Sequence, residues 1–406
     1  MLFRSGIAYS PTDKGDFVIR LGGGVFYDLG SGEASALALS FPNSVNGSLA
    51  VVSLPLTNAT PFLPTLSLKP PFPNGVVGYS PDLKLPRSYQ WNLALEKSFG
   101  RHQVVSATYI GQAGRDLLRQ EALFQPNPNF SGDFLLWRED AFSNYHAVQL
   151  QYRRPLSSGL QALFNYTWSH SLDNASNDLV AGLSNTVISA AKDYASSDFD
   201  VRQSFSGAIS YSIPRVSRQK VAAALTKDWF LDAVIVSRTG FPYNATLRFE
   251  SPDPAGFANS RPDRVLRQPL YLSSSQCNST FQALGVLQPG QACPGGRGLN
   301  PKAFSIPSTL RQGTEGRNDI PGFGLTQIDL SLGRRFELTE RMSLQFRADA
   351  FNVLNHPNFS NPAASLDCGP ACLISGTMLN GALGGLNPLF QEGGPRSLQL
   401  SLKLAF

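Results

Sequence analysis

The sequence predicts an all-β fold, an antiparallel transmembrane β-barrel, on three observations. Apolar and polar residues alternate at period two along many short segments. Tight and long connections take turns between those segments. No apolar run approaches the roughly 18 residues that a membrane helix needs. The third point leaves a barrel open, because closed sheets cross a bilayer with alternating strands that a hydropathy window does not register.

The alternation is clearest at the C-terminal end. Leu398, Leu400, Leu402, Leu404 and Phe406 interleave with Gln399, Ser401, Lys403 and Ala405, so each set occupies one face of a strand. Tyr89, Trp91, Leu93 and Leu95 interleave with Gln90, Asn92, Ala94 and Glu96 in the same way. So do stretches around 160–169, 204–213, 327–332 and 344–349. About eleven strands follow, at 4–10, 17–27, 88–99, 103–113, 144–154, 160–170, 200–212, 227–240, 324–336, 342–354 and 395–406. Glu96, Arg347, Asp349 and Lys403 all fall in the polar sets, where a barrel offers a wet lumen and a soluble sandwich offers bulk water. Tyr89, Trp91, Tyr166 and Trp168 fit an interfacial aromatic girdle, with core aromatics as the alternative.

The connections separate these cases. Residues 11–16, 100–102, 156–159, 214–226 and 337–341 form the shorter class. Residues 28–87, 115–143, 171–199, 241–322 and 355–394 form a long class rich in Pro, Gly, Asn and Ser. Short turns at one rim and long loops at the other are the layout of outer-membrane barrels, whereas soluble domains seldom carry many loops above about 15 residues.

Composition agrees. Charged residues are only 16%, below the roughly 25% of soluble domains. A mean hydropathy of −0.12 rules out a helical membrane protein. The net charge of +5 is small, and no basic block with interleaved aromatics occurs, so nucleic acid is set aside as a partner. Cys277/Cys293 and Cys368/Cys372 are each close in sequence within Gly/Pro-rich stretches, which favours two local disulfides and an oxidising compartment; zinc is the rival reading. The N-terminus lacks a basic segment followed by an apolar one, so no signal peptide is read there. With an odd strand count, this leads to the expectation that the chain starts within a longer protein.

Several stretches in order carry a family resemblance: Arg87-Ser88-Tyr89-Gln90-Trp91-Asn92-Leu93, Val104–Gly111, Asn165–Asp173 and Ser197–Arg202. Gly316-Arg317-Asn318, Pro321-Gly322-Phe323, Gln327–Leu332 and the long run Leu344–Phe359 follow, and the chain ends on an aromatic, Phe406. Together they resemble the C-terminal barrel of Oar-like TonB-dependent receptors over nearly the whole chain. The resemblance implies a 22-stranded barrel of which residues 1–406 hold about half. It further implies a plug, a TonB box and an N-terminal carboxypeptidase-regulatory-like domain, none of which is recognisable here. The implied function is import of a large solute, unknown in identity, as TonB moves the plug of the complete parent. TonB would then act only through that plug.

Candidate chemistry is sparse. His102, His146, His170 and His356 are scattered, with no metal-binding spacing. Asp198, Asp200 and Arg202 form a candidate charge cluster at a loop rim, read as a salt bridge or turn cap before a solute contact. Asp173, Asn174, Asn177 and Asp178 offer oxygens but lack the glycine and distal glutamate of a calcium loop; turn chemistry explains them better. Gly22-Gly23-Gly24 lies in a strand pattern without a following helix or Lys-Ser/Thr, which excludes a phosphate loop. No catalytic residue, cofactor or metal is expected, so the protein reads as a non-enzyme. The alternatives are a secreted all-β binding or adhesion protein and, further off, an extracellular glycan hydrolase. The partners expected are outer-membrane lipid and the outer-membrane assembly machinery, for which Leu398, Leu400, Leu402, Leu404 and Phe406 resemble the β-signal. Deletion of Phe406 is expected to lower the amount of chain recovered in the outer-membrane fraction; unchanged recovery would sink that assignment.

Overall fold

Period-two segments meet side by side in the computed structural model, which describes residues 3–28, 40–44, 67–72, 76–124, 126–176, 193–214, 227–248, 259–308, 313–375 and 394–406. The first strands are β1 (Phe3–Tyr9), β2 (Phe17–Tyr27), β3 (Val76–Tyr79), β4 (Arg87–Phe99) and β5 (Gln103–Phe124). Next come β6 (Asp133–Ser157), β7 (Leu160–Asp173), β8 (Ala195–Ser196), β9 (Gln203–Ser212) and β10 (Trp229–Arg238). A long connection holds β11 (Leu247–Arg248), β12 (Asn259–Ser260), β13 (Asp263–Arg264), β14 (Tyr271–Leu272) and helix α1 (Ser274–Ala283). The same connection continues through β15 (Gly298–Leu299) and β16 (Phe304–Ser305). The chain closes with β17 (Leu325–Glu337), β18 (Ser343–Phe351) and β19 (Ser397–Ala405).

One sheet runs in the order β1-β2-β4-β5-β6-β7-β9-β10-β17-β18-β19, with β3 added to β6 and β8 added to β7. Every neighbour on this path is antiparallel. These eleven strands are the eleven read from the sequence, with altered ends. The sheet is not closed, and because its path holds an odd number of strands its two edges, β1 and β19, run in the same direction.

Cross-strand partners share a face, so the register separates two chemistries. One face carries the row Glu96–Ser106–Gln151–Asn165–Ser206. It also carries the row Ser210–Asp232–Ser331–Asp349–Gln399. Side chains link along these rows: Gln151 Nε2 donates to Asn165 Oδ1 at 2.8 Å, and Ser210 Oγ donates to Asp232 Oδ1 at 2.7 Å. Arg347 reaches Asp349 at 2.7 Å, Ser331 Oγ at 2.9 Å and Asp232 at 3.3 Å, while Ser331 also bonds Asp349.

The opposite face carries Leu93–Tyr109–Val148–Trp168 as one row and Leu398, Leu400, Leu402 and Leu404 along β19. Trp168 is 55% exposed and Leu400 63% exposed, although both are apolar. Among the described residues nothing covers this face. A soluble sandwich would bury such a face in its core; here the principal buried apolar cluster lies off the sheet, around Phe281, Leu299, Ile320 and Leu373. The apolar face is therefore the outward, lipid-facing one, and the polar rows line the lumen.

Two expected loops are corrected. Residues 115–143 are mostly not loop, because β5 and β6 continue as a paired hairpin to Phe124 and Asp133. A bulge at Gly114–Leu117–Arg119, with Asp116 at φ 54°, breaks the alternation without ending the ladder. Ion pairs Arg119–Asp140 (2.6 Å) and Arg138–Glu121 (2.9 Å) hold the extension, and β3 joins it, stacking Tyr79 on the buried Trp137. The described part of 241–322 likewise holds α1 and three two-stranded ladders, and shares a buried apolar cluster with Ala364, Leu373 and Ile374 of the connection after β18, so the two connections form a small folded unit on the long-loop rim.

The two faces predict opposite responses at adjacent positions of β6. Leu150→Arg is expected to lower the unfolding free energy of the membrane-embedded chain, read from urea titration, by about 2 kcal/mol, while Gln149→Arg stays within about 0.5 kcal/mol. Equal losses at both positions would contradict the assignment of faces.

Candidate functional site

Loops that leave neighbouring strands at the long-loop rim need some interaction to fix them, and here buried charge does so. Arg317 has no exposed side-chain surface. Its Nη1 donates to Asp173 Oδ1 at 2.7 Å, to the Asp173 carbonyl at 2.8 Å and to the Asp193 carbonyl at 3.2 Å. Its Nη2 donates to Ser176 Oγ at 2.5 Å and reaches Asp198 Oδ1 at 3.3 Å. Asn318 adds bonds from Nδ2 to Asp198 Oδ1 (2.6 Å) and to the Ser196 carbonyl (2.8 Å). Arg261 meets the buried Asp193 at 3.0 Å. Through these contacts the connection after β7 is clasped to the connection before β17.

The motif after β18 fastens the strand ends by a different device, side-chain amides that take the place of a further strand. Asn358 Oδ1 accepts from Thr326 N at 2.9 Å, and its Nδ2 donates to the Thr326 carbonyl at 3.2 Å. Asn361 does the same between Phe323 N (2.9 Å) and the Phe241 carbonyl (3.0 Å). Buried Asn352 donates to the carbonyls of His356 (2.9 Å) and Gly394 (2.7 Å). Satisfying backbone groups at a strand end in this way removes the cost of burying them unpaired.

Below the clasp, on the lumen face, lies a cleft of ≈ 360 Å³ lined by Tyr145, Gln149, Thr167, Phe199, Ser204 and Arg238. Ser171 and Asp200 line it too. Its hydroxyls and amides can exchange hydrogen bonds with a hydrated solute, and the Arg238 guanidinium lies 4.3 Å over the Phe241 ring. Among the described residues, no group of three or more His, Cys, Asp or Glu side chains is arranged to hold a metal.

The residues singled out from the sequence fall as follows. Asp198, Asp200 and Arg202 do not pair with one another. A turn closed by Asp200 N on the Ser197 carbonyl at 2.9 Å separates them. It sends Asp198 to Arg317 and Asp200 to the Ser171 amide (2.8 Å) and His170 Nδ1 (3.1 Å), and Arg202 bonds neither aspartate. Burial raises the Asp200 carboxyl above the usual carboxylate range. Asp173 is committed to Arg317 and Ser176, and Asn174 bonds Phe142 N and the Asp140 carbonyl; Asn177 and Asp178 lie outside the described residues. Cys277 is paired with Cys293 and Cys368 with Cys372, each with Cα atoms 6.1 Å apart. Gly22-Gly23-Gly24 lies within β2. Leu398, Leu400, Leu402 and Leu404 lie on the outward face of the edge strand β19, with Phe406 after its end. Arg317 appeared in the sequence only as part of a family stretch, with no signal of its role.

A family model described as an outer membrane beta barrel domain matches residues 4–399. The chain belongs to this family. Its place is the outer membrane of a Gram-negative bacterium, with the long loops outside. The outer-membrane transporter YddB from Escherichia coli is similar in fold, with a TM-score of 0.50 and 10% identity over 98% of this chain. The ferripyoverdine receptor of Pseudomonas aeruginosa gives 0.45 at 9% identity over 99% of this chain and 32% of its own. The FrpB iron transporter of Neisseria meningitidis gives 0.43 at 10% identity over 100% of this chain and 39% of its own. The chain spans 39% of the length of YddB. Comparison by sequence with curated proteins gave no match.

Two outcomes test the clasp in this barrel. Arg317→Met leaves Asp173 buried without its counter-charge, at an expected cost of about 3–5 kcal/mol. The connection after β7 should then become cleavable by protease added to intact cells, and an unchanged cleavage pattern would rule the clasp out. The second outcome concerns Glu315, buried with neither carboxylate oxygen hydrogen-bonded and with Arg264 3.8 Å away. Burial, and then Asp319, push its carboxyl up to about 7 from 4.5, against the pull of Arg264 and Arg261. The folded unit therefore holds a proton that the unfolded chain releases. Its contribution is complete below about pH 4.5 and is lost as pH rises to about 7, a change on the order of 3 kcal/mol. The protection of the α1 amides from hydrogen exchange, corrected for the intrinsic pH dependence of exchange, should fall across that window in the native chain and much less in Glu315→Gln.

Proposed function

We propose that this chain is the C-terminal barrel portion of a TonB-dependent receptor of the Oar-like type, and that its complete parent imports a large solute. The observation that carries the reading is the lumen face, a polar wall continuous across the strands beneath a folded extracellular cover. A wall of amides, hydroxyls and compensated charge suits a hydrated solute passing along it, and the clasped loops suit its first capture. The Escherichia coli structure of similar fold is an outer-membrane transporter, which supports the same class.

In this reading a plug fills the lumen of the parent and TonB displaces it, so the energy comes from the inner membrane. This chain then supplies walls, loops and membrane anchorage, and no residue performs catalysis. The edge strand β19, with Phe406 at its end, would be read by the assembly machinery.

Comparative analysis of spent medium tests the proposal. Disruption of the parent and disruption of TonB should leave the same high-mass solutes unconsumed. Solute uptake that persists without TonB but disappears without the parent would mark a passive channel instead.

A further inference from the structure

We propose that the outward-facing cleft formed by Tyr109, His146, Trp168, His170 and Arg202 binds a phosphate-bearing headgroup of an outer-leaflet glycolipid. The inference rests on the outward face meeting lipid, and not on coupling to TonB.

His146 and His170 are direct cross-strand partners on β6 and β7. Register places both on the outward face, where β7 otherwise presents Ala162, Phe164, Tyr166 and Trp168 to lipid. Their height is fixed by counting from the short turn at Leu160. Ten residues at about 3.3 Å each, tilted about 40°, rise roughly 25 Å, the height of the apolar belt. The two imidazoles therefore stand at the outer edge of that belt, level with lipid headgroups.

Their surroundings prepare hydrogen-bond donors. Tyr109 Oη and His146 Nδ1 are 2.8 Å apart; with the phenol donating, the ring proton of His146 resides on Nε2. His170 Nδ1 lies 3.1 Å from Asp200 Oδ2, a contact that holds the second ring in the same cleft. Nη1 of Arg202 is buried and makes no hydrogen bond. These groups line one cleft of ≈ 170 Å³, with Trp168 and Val148 as its apolar wall. Convergent guanidinium and imidazole donors match the acceptor oxygens of a phosphate, and the apolar wall matches the body of the lipid.

The strand beside the cleft is cut to shape it. Trp91, Gly111 and His146 occupy one register row. A Cβ on Gly111 would come within 2.2 Å of the Trp91 indole, so only glycine lets that ring lie across to His146, 6.2 Å between centroids. A phosphate ester fixed in the bilayer is held at this height continuously, which a phosphate ion in bulk water is not.

The full chain, embedded in phosphatidylcholine nanodiscs in whatever state its sheet edges adopt, provides the test. The discs contain a minor fraction of lipopolysaccharide, either intact or with its lipid A phosphates removed. Native mass spectrometry then counts the lipopolysaccharide retained per chain. Intact lipid should be retained roughly tenfold better, as expected from losing about one charge-assisted hydrogen bond. Arg202→Gln and the pair His146→Gln/His170→Gln should each remove most of that preference, while Gln149→Ala on the lumen face leaves it unchanged. Equal retention of the two lipids by the unaltered chain overturns the proposal, whatever the variants do. Release of bound lipid by millimolar inorganic phosphate overturns it in favour of a site for the free ion.

Discussion

Backbone amides and carbonyls in hydrocarbon must bond to one another, because no water is present to do so. An antiparallel ladder meets that demand strand by strand, and its pleat turns successive side chains to opposite faces. The chemistry of the sheet follows from this constraint. Lipid on one side selects Leu93, Tyr109, Val148 and Trp168, and water on the other selects Glu96, Gln151, Asn165 and Arg347. Charges on the lumen side remain affordable because partners from adjacent strands reach them, as Arg347 is reached from β10 and β17.

Above the belt the constraint relaxes, and a different kind of order takes over. Connections that would wander in water are held by buried polar groups: the Arg317 clasp, the asparagine amides that close the ends of β10 and β17, and the ion pairs along the β5–β6 extension. Buried charge of this kind adds less net stability than its contact distances suggest, since desolvation opposes it. Its use is specificity, because each aspartate has one good cation and each loop therefore one position. The apolar cluster around α1 gives that rim a core that the sheet does not possess.

The eleven strands of the main sheet were legible because one face had to be apolar and every second connection was a short turn that set two such segments side by side. The β5–β6 extension was not, since above the lipid belt both faces may be polar. Arg119, Glu121, Arg138 and Asp140 then leave no period to count. Arg317 was illegible for another reason: its carboxylate partners lie 119 and 144 residues away, and no local pattern marks a bond of that span. At Asp198, Asp200 and Arg202 the sequence showed charges at a rim but not their partners, because a turn parts these neighbours and sends Asp198 to Arg317 and Asp200 to the Ser171 amide. His146 and His170 looked scattered, yet the hairpin contained their pairing. The partnership Arg154 with Ala162, propagated eight residues along each strand, makes them neighbours.

The direction of the two sheet edges sets a rule for completing the barrel. β1 and β19 point the same way, so a set of strands that bridges them with antiparallel seams throughout must itself be odd in number. Two copies of this chain arranged about a common axis would meet head-along-head at both joins, giving two parallel seams. The complement that suits this sheet is thus unlike it in polarity, and self-association around one pore is disfavoured by geometry alone.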